Sequence, residues 1–314
     1  MKKIGITGTN GFLGGYLFDY LKEDFEVVPI LRQNSESNMD KFILYDSEGS
    51  ILKNVDVLVH CAAKVHDLKK NSGKYLNEYV EANLILTEQL VRECIKHNVK
   101  RFIFISTVKV NGEYTEINKP FNSRSLNKPI DPYAISKYKA ENIIKQICKE
   151  QLIEYVIIRS PLIYGPGVKA NFLNLLRIIN KGIPLPFASI KNFRSIIYIG
   201  NLVNFIKCCF YSNKASNKIF LISDPNPIST HNLVKKISFY LNKKNSIFKC
   251  PVILLIILGF LTGKSKQIKK LVDSLEIDYS ETSAILDWEA PFSTNQGLKN
   301  TIDWYKENFP SLNK

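Results

Sequence analysis

"ITGTNGFLG", Ile6 to Gly14, places Gly8, Gly11 and Gly14 in a G-x-x-G-x-x-G turn. The turn lies between a short apolar run, "KIGIT", and a segment of helical periodicity. Glycines at a strand-to-helix turn permit a tight reversal and let a pyrophosphate approach the backbone, with the positive end of a helix dipole behind it. A glycine triplet alone is a weak signal, and its surroundings decide its meaning. "EVVPIL" (26–31), "KFILY" (41–45), "VDVLVH" (55–60), "RFIFIS" (101–106) and "EYVIIRS" (154–160) read as further strands. Helical patterns fall between several of them, over 12–22, 79–97 and 133–149. Near-continuous apolar strands alternating with amphipathic helices predict a parallel sheet covered on both faces. The expected fold is α/β, a Rossmann-type doubly wound parallel sheet.

After Tyr164 the alternation loosens. "YGPGVKANF" (164–172) is a loop signal, followed by helical "FLNLLRIINKG" (172–182) and one more strand, "KIFLIS" (218–223). The division expected is a nucleotide-binding domain over 1–165, also using parts of 192–223. A smaller, mostly helical substrate lobe over 166–314 is interleaved with it. No repeat and no low-complexity tether separates the two.

The 314 residues are 45% hydrophobic, enough for a proper core. A formal charge of +14 raises nucleic acid as a partner, but the Lys and Arg are scattered rather than gathered into an arm or stripe. The excess reads as compositional bias, with some cations facing an anionic small molecule, and nucleic acid is not expected. Six cysteines form no C-x-x-C pair and four histidines have no metal-ligand spacing, so no metal is expected. "MKKIGITGTNG" enters a strand directly and does not read as a signal peptide. A reduced, cytoplasmic protein is the expectation. "PVILLIILGFL" (251–261) falls well short of the ~20 residues that span a bilayer, so no stable membrane span is expected. A buried helix is the default reading there. The basic "KSKQIKK" (264–270) after it keeps a peripheral membrane contact open.

"DPYAISKYKAE" (131–141) carries the chemistry. Asp131 suits an N-cap and Pro132 the first helical position. Tyr133 and Lys137 then share a helix face. An ammonium beside a phenol favours the phenolate, which would make Tyr133 a proton donor working below its usual ~10. A surface helix with a snorkelling lysine is the plain alternative. At the end of the second strand, "PILRQN" offers Arg32 and no acid, which tilts the cofactor toward NADP(H) over NAD(H). A surface arginine indifferent to the cofactor is the other reading. Asp46 is either an adenine contact or an ordinary turn residue.

The glycine turn, "HCAA" (60–63), "IST" (105–107) and Tyr133-x-x-x-Lys137 occur in a fixed order. Together they resemble the extended short-chain dehydrogenase/reductase family of nucleotide-sugar epimerases, dehydratases and ketoreductases, across essentially the whole chain. The resemblance implies a catalytic triad of Thr107, Tyr133 and Lys137, with NAD(P)(H) as cofactor. It implies cofactor contacts from Gly8, Asn10, Gly11, Phe12, Leu13 and Gly14 in the turn. Others fall to Arg32, Asp46, Cys61, Ala62, Ala63, Asn83 and Pro161, and to Tyr133 and Lys137 themselves. His60 becomes a core or cofactor-wall residue rather than a catalytic one. Thr107, Lys109, Tyr164, Asn171 and Arg194 are the implied contacts to a UDP-sugar, and a homodimer through helices at 79–97 and 133–150 is the family expectation. Dehydratases carry an Asp-Glu pair directly after the threonine, whereas here Val108 and Lys109 stand there. The pattern looks closest to the UDP-N-acetylquinovosamine dehydrogenases, which reduce a UDP-4-keto-6-deoxy-N-acetylhexosamine at C4. A UDP-(N-acetyl)hexose 4-epimerase with tightly held NAD is the alternative reading. A non-catalytic NADP-binding regulator is the minor one.

Overall fold

The computed structural model describes residues 1–33, 41–47, 49–63, 81–116, 118–151, 153–244 and 247–310. Its centre is a parallel sheet of β1 (Lys3–Thr7), β2 (Glu26–Ile30), β7 (Val57–His60), β8 (Arg101–Thr107), β9 (Glu154–Ser160) and β12 (Lys218–Leu221). The spatial order is β12-β9-β8-β7-β1-β2, with every pairing parallel. All seven residues of β8 are buried, as expected for a central strand packed on both faces. One face carries α1 (Phe12–Leu21) and α5 (Ile199–Cys209), whose Leu13, Leu17, Leu202 and Phe205 join Ile4, Val59, Ile103 and Ile158. The other carries α2 (Leu86–Lys96) and α3 (Pro132–Gln151), whose Leu90, Val91, Ile144 and Ile147 meet Leu58, Phe102, Phe104 and Ile157. Strand alternation sends neighbouring residues to opposite cores.

Parallel register aligns the strand ends. Thr7 pairs with His60, and Thr107 with Ser160. The carboxyl ends of β1, β7, β8 and β9 therefore lie along one edge, where an open α/β sheet binds its ligand.

The rest of the chain is stitched into this frame. A second parallel pair joins β10 (Leu162–Tyr164) to β11 (Ile196–Tyr198). Beyond them come α4 (Ala170–Asn180), α6 (Thr230–Tyr240), α7 (Val252–Leu261), α8 (Ser265–Val272), α9 (Ser280–Leu286) and α10 (Thr294–Asn308). Residues 218–221 return to complete the main sheet as β12.

Two expectations are corrected. "KFILY" is not a strand of the main sheet. It divides between β4 (Lys41–Phe42), antiparallel to β3 (Arg32–Gln33), and β5 (Tyr45–Asp46), antiparallel to β6 (Gly49–Ser50). Ile43 and Tyr45 are exposed, so the run lacks the two covering layers that a parallel strand requires. The 251–261 segment does form a helix, but most of it is not buried. The helix expected over 79–97 begins, within the described residues, as a wide π-type turn at Glu81–Ile85 that runs into α2. Its first two positions lie outside them.

Candidate active site

The glycine turn closes on itself and on the loop after β7. Gly8 has φ +75°, and a Cβ there would sit 2.8 Å from the Ala62 nitrogen. A Cβ on Gly14 would overlap the Gly8 carbonyl. Gly11 N–H donates to that carbonyl at 2.8 Å, and Gly11 caps α1 without a side-chain partner or an acid in the first turn. The first-turn amides are thus left to an anion, so the turn fits the pyrophosphate of a dinucleotide. Asn10 is exposed, Leu13 is buried, and Phe12 packs against Gly167 of the "YGPG" loop.

A chain of hydrogen bonds fixes the floor. Ala62 N–H donates to Thr7 Oγ1 at 3.1 Å, and Thr7 Oγ1 lies 2.7 Å from His60 Nδ1. His60 Nε2 is 3.0 Å from Thr87 Oγ1, which donates to the Asn83 carbonyl at 2.5 Å. Of the two neutral tautomers only the one protonated on Nε2 and accepting on Nδ1 satisfies all four contacts, since Thr87 spends its proton on the Asn83 carbonyl. Burial and the Lys137 charge hold His60 well below the usual imidazole range, in agreement. With Phe42, Phe102 and Phe104 around its ring, His60 is a core residue.

Asp131 caps α3 through Ala134 N–H at 2.8 Å, which sets Tyr133 in the first turn. Asn83 Nδ2 donates to Ser136 Oγ at 3.0 Å, and that hydroxyl donates to the Tyr133 carbonyl at 2.8 Å. Lys137 is 2% exposed. Its ammonium donates to the Ile105 carbonyl at 2.8 Å and sits 4.3 Å from the Phe104 ring centroid. Burial draws the lysine down to about 8, despite the opposing Cys61 and Glu141 charges. The expected depression of Tyr133 is reversed: burial and the Asp131 carboxylate push its phenol above the ordinary value. Thr107 ends β8, with its Oγ1 accepting from Lys109 N–H at 3.3 Å. The sheet edge and the start of α3 thus carry the three expected catalytic residues.

Behind Lys137 lies a charged network that the sequence did not reveal. Glu141 and Arg159, 0% and 4% exposed in their side chains, form a bidentate pair at 3.0 and 2.6 Å. Ser106 Oγ donates to Glu141 at 2.5 Å. Arg159 also donates to Asn111 and Asn127 at 3.1 and 2.8 Å. Two charges eighteen residues apart, on a helix and a strand, leave no local motif.

On the substrate side, Arg194 is held by a hydrogen bond to the Asp273 carbonyl at 3.0 Å, and burial lowers it. Lys270, at the end of α8, is lowered by burial and then by Lys109, with Arg194 also acting on it. Among the described residues neither cation lies within an ion pair, although Glu113 acts electrostatically on both. Lys270 was missed because "KSKQIKK" reads only as a basic flank.

The other three expected substrate contacts differ in their settings. Tyr164 is fully buried, its hydroxyl donating to Asp224 at 2.8 Å and its ring stacked on Phe172. It is a core residue, because β10 faces inward there. Lys109 is committed to Asp131 at 2.5 Å and Glu113 at 3.2 Å, and so braces the start of α3. Asn171 is exposed on the first turn of α4. Of the remaining cofactor candidates, Cys61 and Ala63 are half-buried beside Ala62, and Pro161 is buried between β9 and β10. Arg32 is exposed just beyond β2. Asp46 lies in β5, with its side chain outside the described atoms.

In keeping with the glycine turn and the sheet edge, the chain belongs to the NAD dependent epimerase/dehydratase family, whose model matches residues 4–223. It is 39% identical over 312 residues to a UDP-glucose 4-epimerase of Vibrio cholerae, covering 96% of this chain and 94% of that one. It is 27% identical to a dTDP-D-glucose 4,6-dehydratase of Dictyostelium discoideum, over 98% of this chain and 82% of that one. The fold matches a UDP-glucuronic acid 4-epimerase from Bacillus cereus in complex with NAD, with a TM-score of 0.76, 21% identity, and coverage of 98% and 99%. The chain is therefore a nucleotide-sugar enzyme of this NAD-dependent family. The epimerase reading is favoured over the ketoreductase that local motifs had put first.

Proposed function

We propose that the protein is a UDP-hexose 4-epimerase, acting on UDP-glucose or its N-acetyl counterpart and keeping NAD bound through the cycle. The observation that carries this reading is the near full-length likeness to the Vibrio cholerae enzyme. Dehydration finds no acid at the required place: Val108 is buried and apolar, and Lys109 is paired. Glycine-turn amides would hold the pyrophosphate of the cofactor, and the Lys137 ammonium its nicotinamide ribose. Bound there, the nicotinamide supplies the reversible hydride acceptor.

The chain's own residues do the rest. Tyr133, once a cationic nicotinamide ring offsets the burial that keeps its phenol protonated, would take the proton of the C4 hydroxyl and return it, while Thr107 hydrogen-bonds the same oxygen and stabilises its developing charge. Arg194 and Lys270 grip the diphosphate, which anchors the nucleotide while the hexose presents either face. A homodimer through 79–97 and 133–150 belongs to the same proposal, and sedimentation velocity measures it.

The test is incubation of purified protein with UDP-glucose, and separately with UDP-N-acetylglucosamine, without added cofactor. The C4 epimers should appear, and denatured protein should release about one NAD per chain. Released NADP instead would give Arg32 the 2′-phosphate role. Stoichiometric NADPH oxidation with a UDP-4-keto-6-deoxy sugar, and no epimer, would make the ketoreductase correct.

A further inference from the structure

The helix α7 is apolar on every side, yet it is packed on only one. Val252, Leu255 and Gly259 face the protein, while seven of its ten residues are exposed. These are Ile253, Leu254, Ile256, Ile257, Leu258, Phe260 and Leu261, with Phe260 at 78% and Leu261 at 75%. Phe248, just before the helix, extends the patch. A contiguous exposed surface of this kind marks a docking face.

Its charge surroundings say what docks. From Phe248 to Val272 the sequence carries five lysines and no acid. Lys249, Lys264 and Lys269 are exposed, and among the described residues none is in an ion pair. An apolar helix rimmed by lysines alone complements a surface that is apolar beneath and anionic above. We propose that α7 and α8 form a docking element for an anionic phospholipid bilayer, with α7 lying in the interface.

Dimensions agree. Ten helical residues rise about 15 Å, half the ~30 Å hydrocarbon core, and no described helix is long and apolar enough to cross a membrane. The element lies on the surface rather than spanning it. It is also rigidly mounted. Gly263, at φ +67°, ends α7, and a Cβ on Gly259 would sit 2.8 Å from Ile268, so the two helices close into a hairpin. The far end of α8 is tied to the body: the Leu271 carbonyl accepts from Thr230 at 2.8 Å and from Asn192 at 3.0 Å. Lys270 stands at that end. Docking therefore brings the diphosphate-binding cations close to the headgroup layer.

The test is flotation of the full-length protein with phosphatidylcholine vesicles and with vesicles containing about one third phosphatidylglycerol. The protein should float with the anionic vesicles and much less with the neutral ones. Phe260→Ser/Leu261→Ser should weaken flotation at least tenfold with epimerase activity on soluble UDP-sugar unchanged, since both residues are exposed and neither is part of the proposed site. Lys264→Glu/Lys269→Glu should abolish the preference for anionic lipid. Flotation of neither vesicle type, or of both variants like the wild type, would overturn the proposal. So would a wild-type dimer that becomes monomeric in Phe260→Ser/Leu261→Ser, because the patch would then be covered by a second copy.

Discussion

Lys137 carries opposed demands from stability and chemistry. Its pKa is about 8 when folded against an ordinary 10.5. Between those values the folded state holds fewer protons than the unfolded one, so stability rises with pH across the window. Below pH 8 the cost of the buried ammonium is fully present. The proposed role of Lys137 needs the charged form, so turnover should fall as pH climbs through about 8 while resistance to urea climbs. Lys137→Met should flatten the stability profile over this window and raise stability at pH 7 by about 1–2 kcal/mol. It should also remove turnover. Urea titrations of both proteins at pH 7 and 9.5 read the difference, and equal slopes would assign the titration to another group. Tyr133→Phe should lose about 10²–10⁴ in turnover while keeping the wild-type stability profile, as kcat and urea midpoints will show.

These residues were legible because chemistry constrains them locally: a tyrosine and lysine four apart, after an Asp-Pro start, and a threonine ending a strand. What burial does to their charges was not legible. The Tyr133 phenol is pushed up rather than down, by burial first and then by the charge of the Asp131 carboxylate that caps its helix. Arg194 was implied by the family resemblance, whereas Lys270 needed the packing of α8 to bring it within reach of the Arg194 charge.

The helix α3 is held to β9 by the Glu141–Arg159 pair one turn beyond Lys137. A buried pair of this kind adds little net stability but is costly to break singly. Glu141→Gln leaves the Arg159 charge uncompensated and should destabilise by about 3–5 kcal/mol. Glu141→Leu/Arg159→Met should recover much of that loss. Denaturant midpoints of the singles and the double measure the coupling. A coupling near zero would mean that the asparagines and Ser106 alone satisfy each charge.

Helix α7 shows the opposite limit. Hydropathy gives its helicity, but an apolar helix reads the same in a core and on a surface. Only the packed structure separates the two. "KFILY" failed for a related reason: its β propensity is real, but nothing covers its two faces.

Across the whole molecule, two strands that are neighbours in the sheet can be far apart along the chain. The outer strand β12 comes from residues 218–221, while its neighbour β9 ends at Ser160. A fragment of residues 1–165 would leave β9 as an open edge of seven residues and would uncover the face of α1 that α5 packs on. Open hydrophobic edges recruit other chains. Such a fragment should elute from size exclusion as aggregate, whereas a monodisperse monomer would show that β9 is protected otherwise.

The same separation has a consequence during biosynthesis. Roughly sixty residues must be added after β9 before its partner exists, which takes about 3–12 s at common elongation rates. Through that interval the nascent sheet carries an unpaired rim beside a growing polysome of identical chains. The sequence between, with its loops and the α4 helix, is therefore a delay line, and the vulnerability it creates belongs to the time of translation rather than to the finished enzyme.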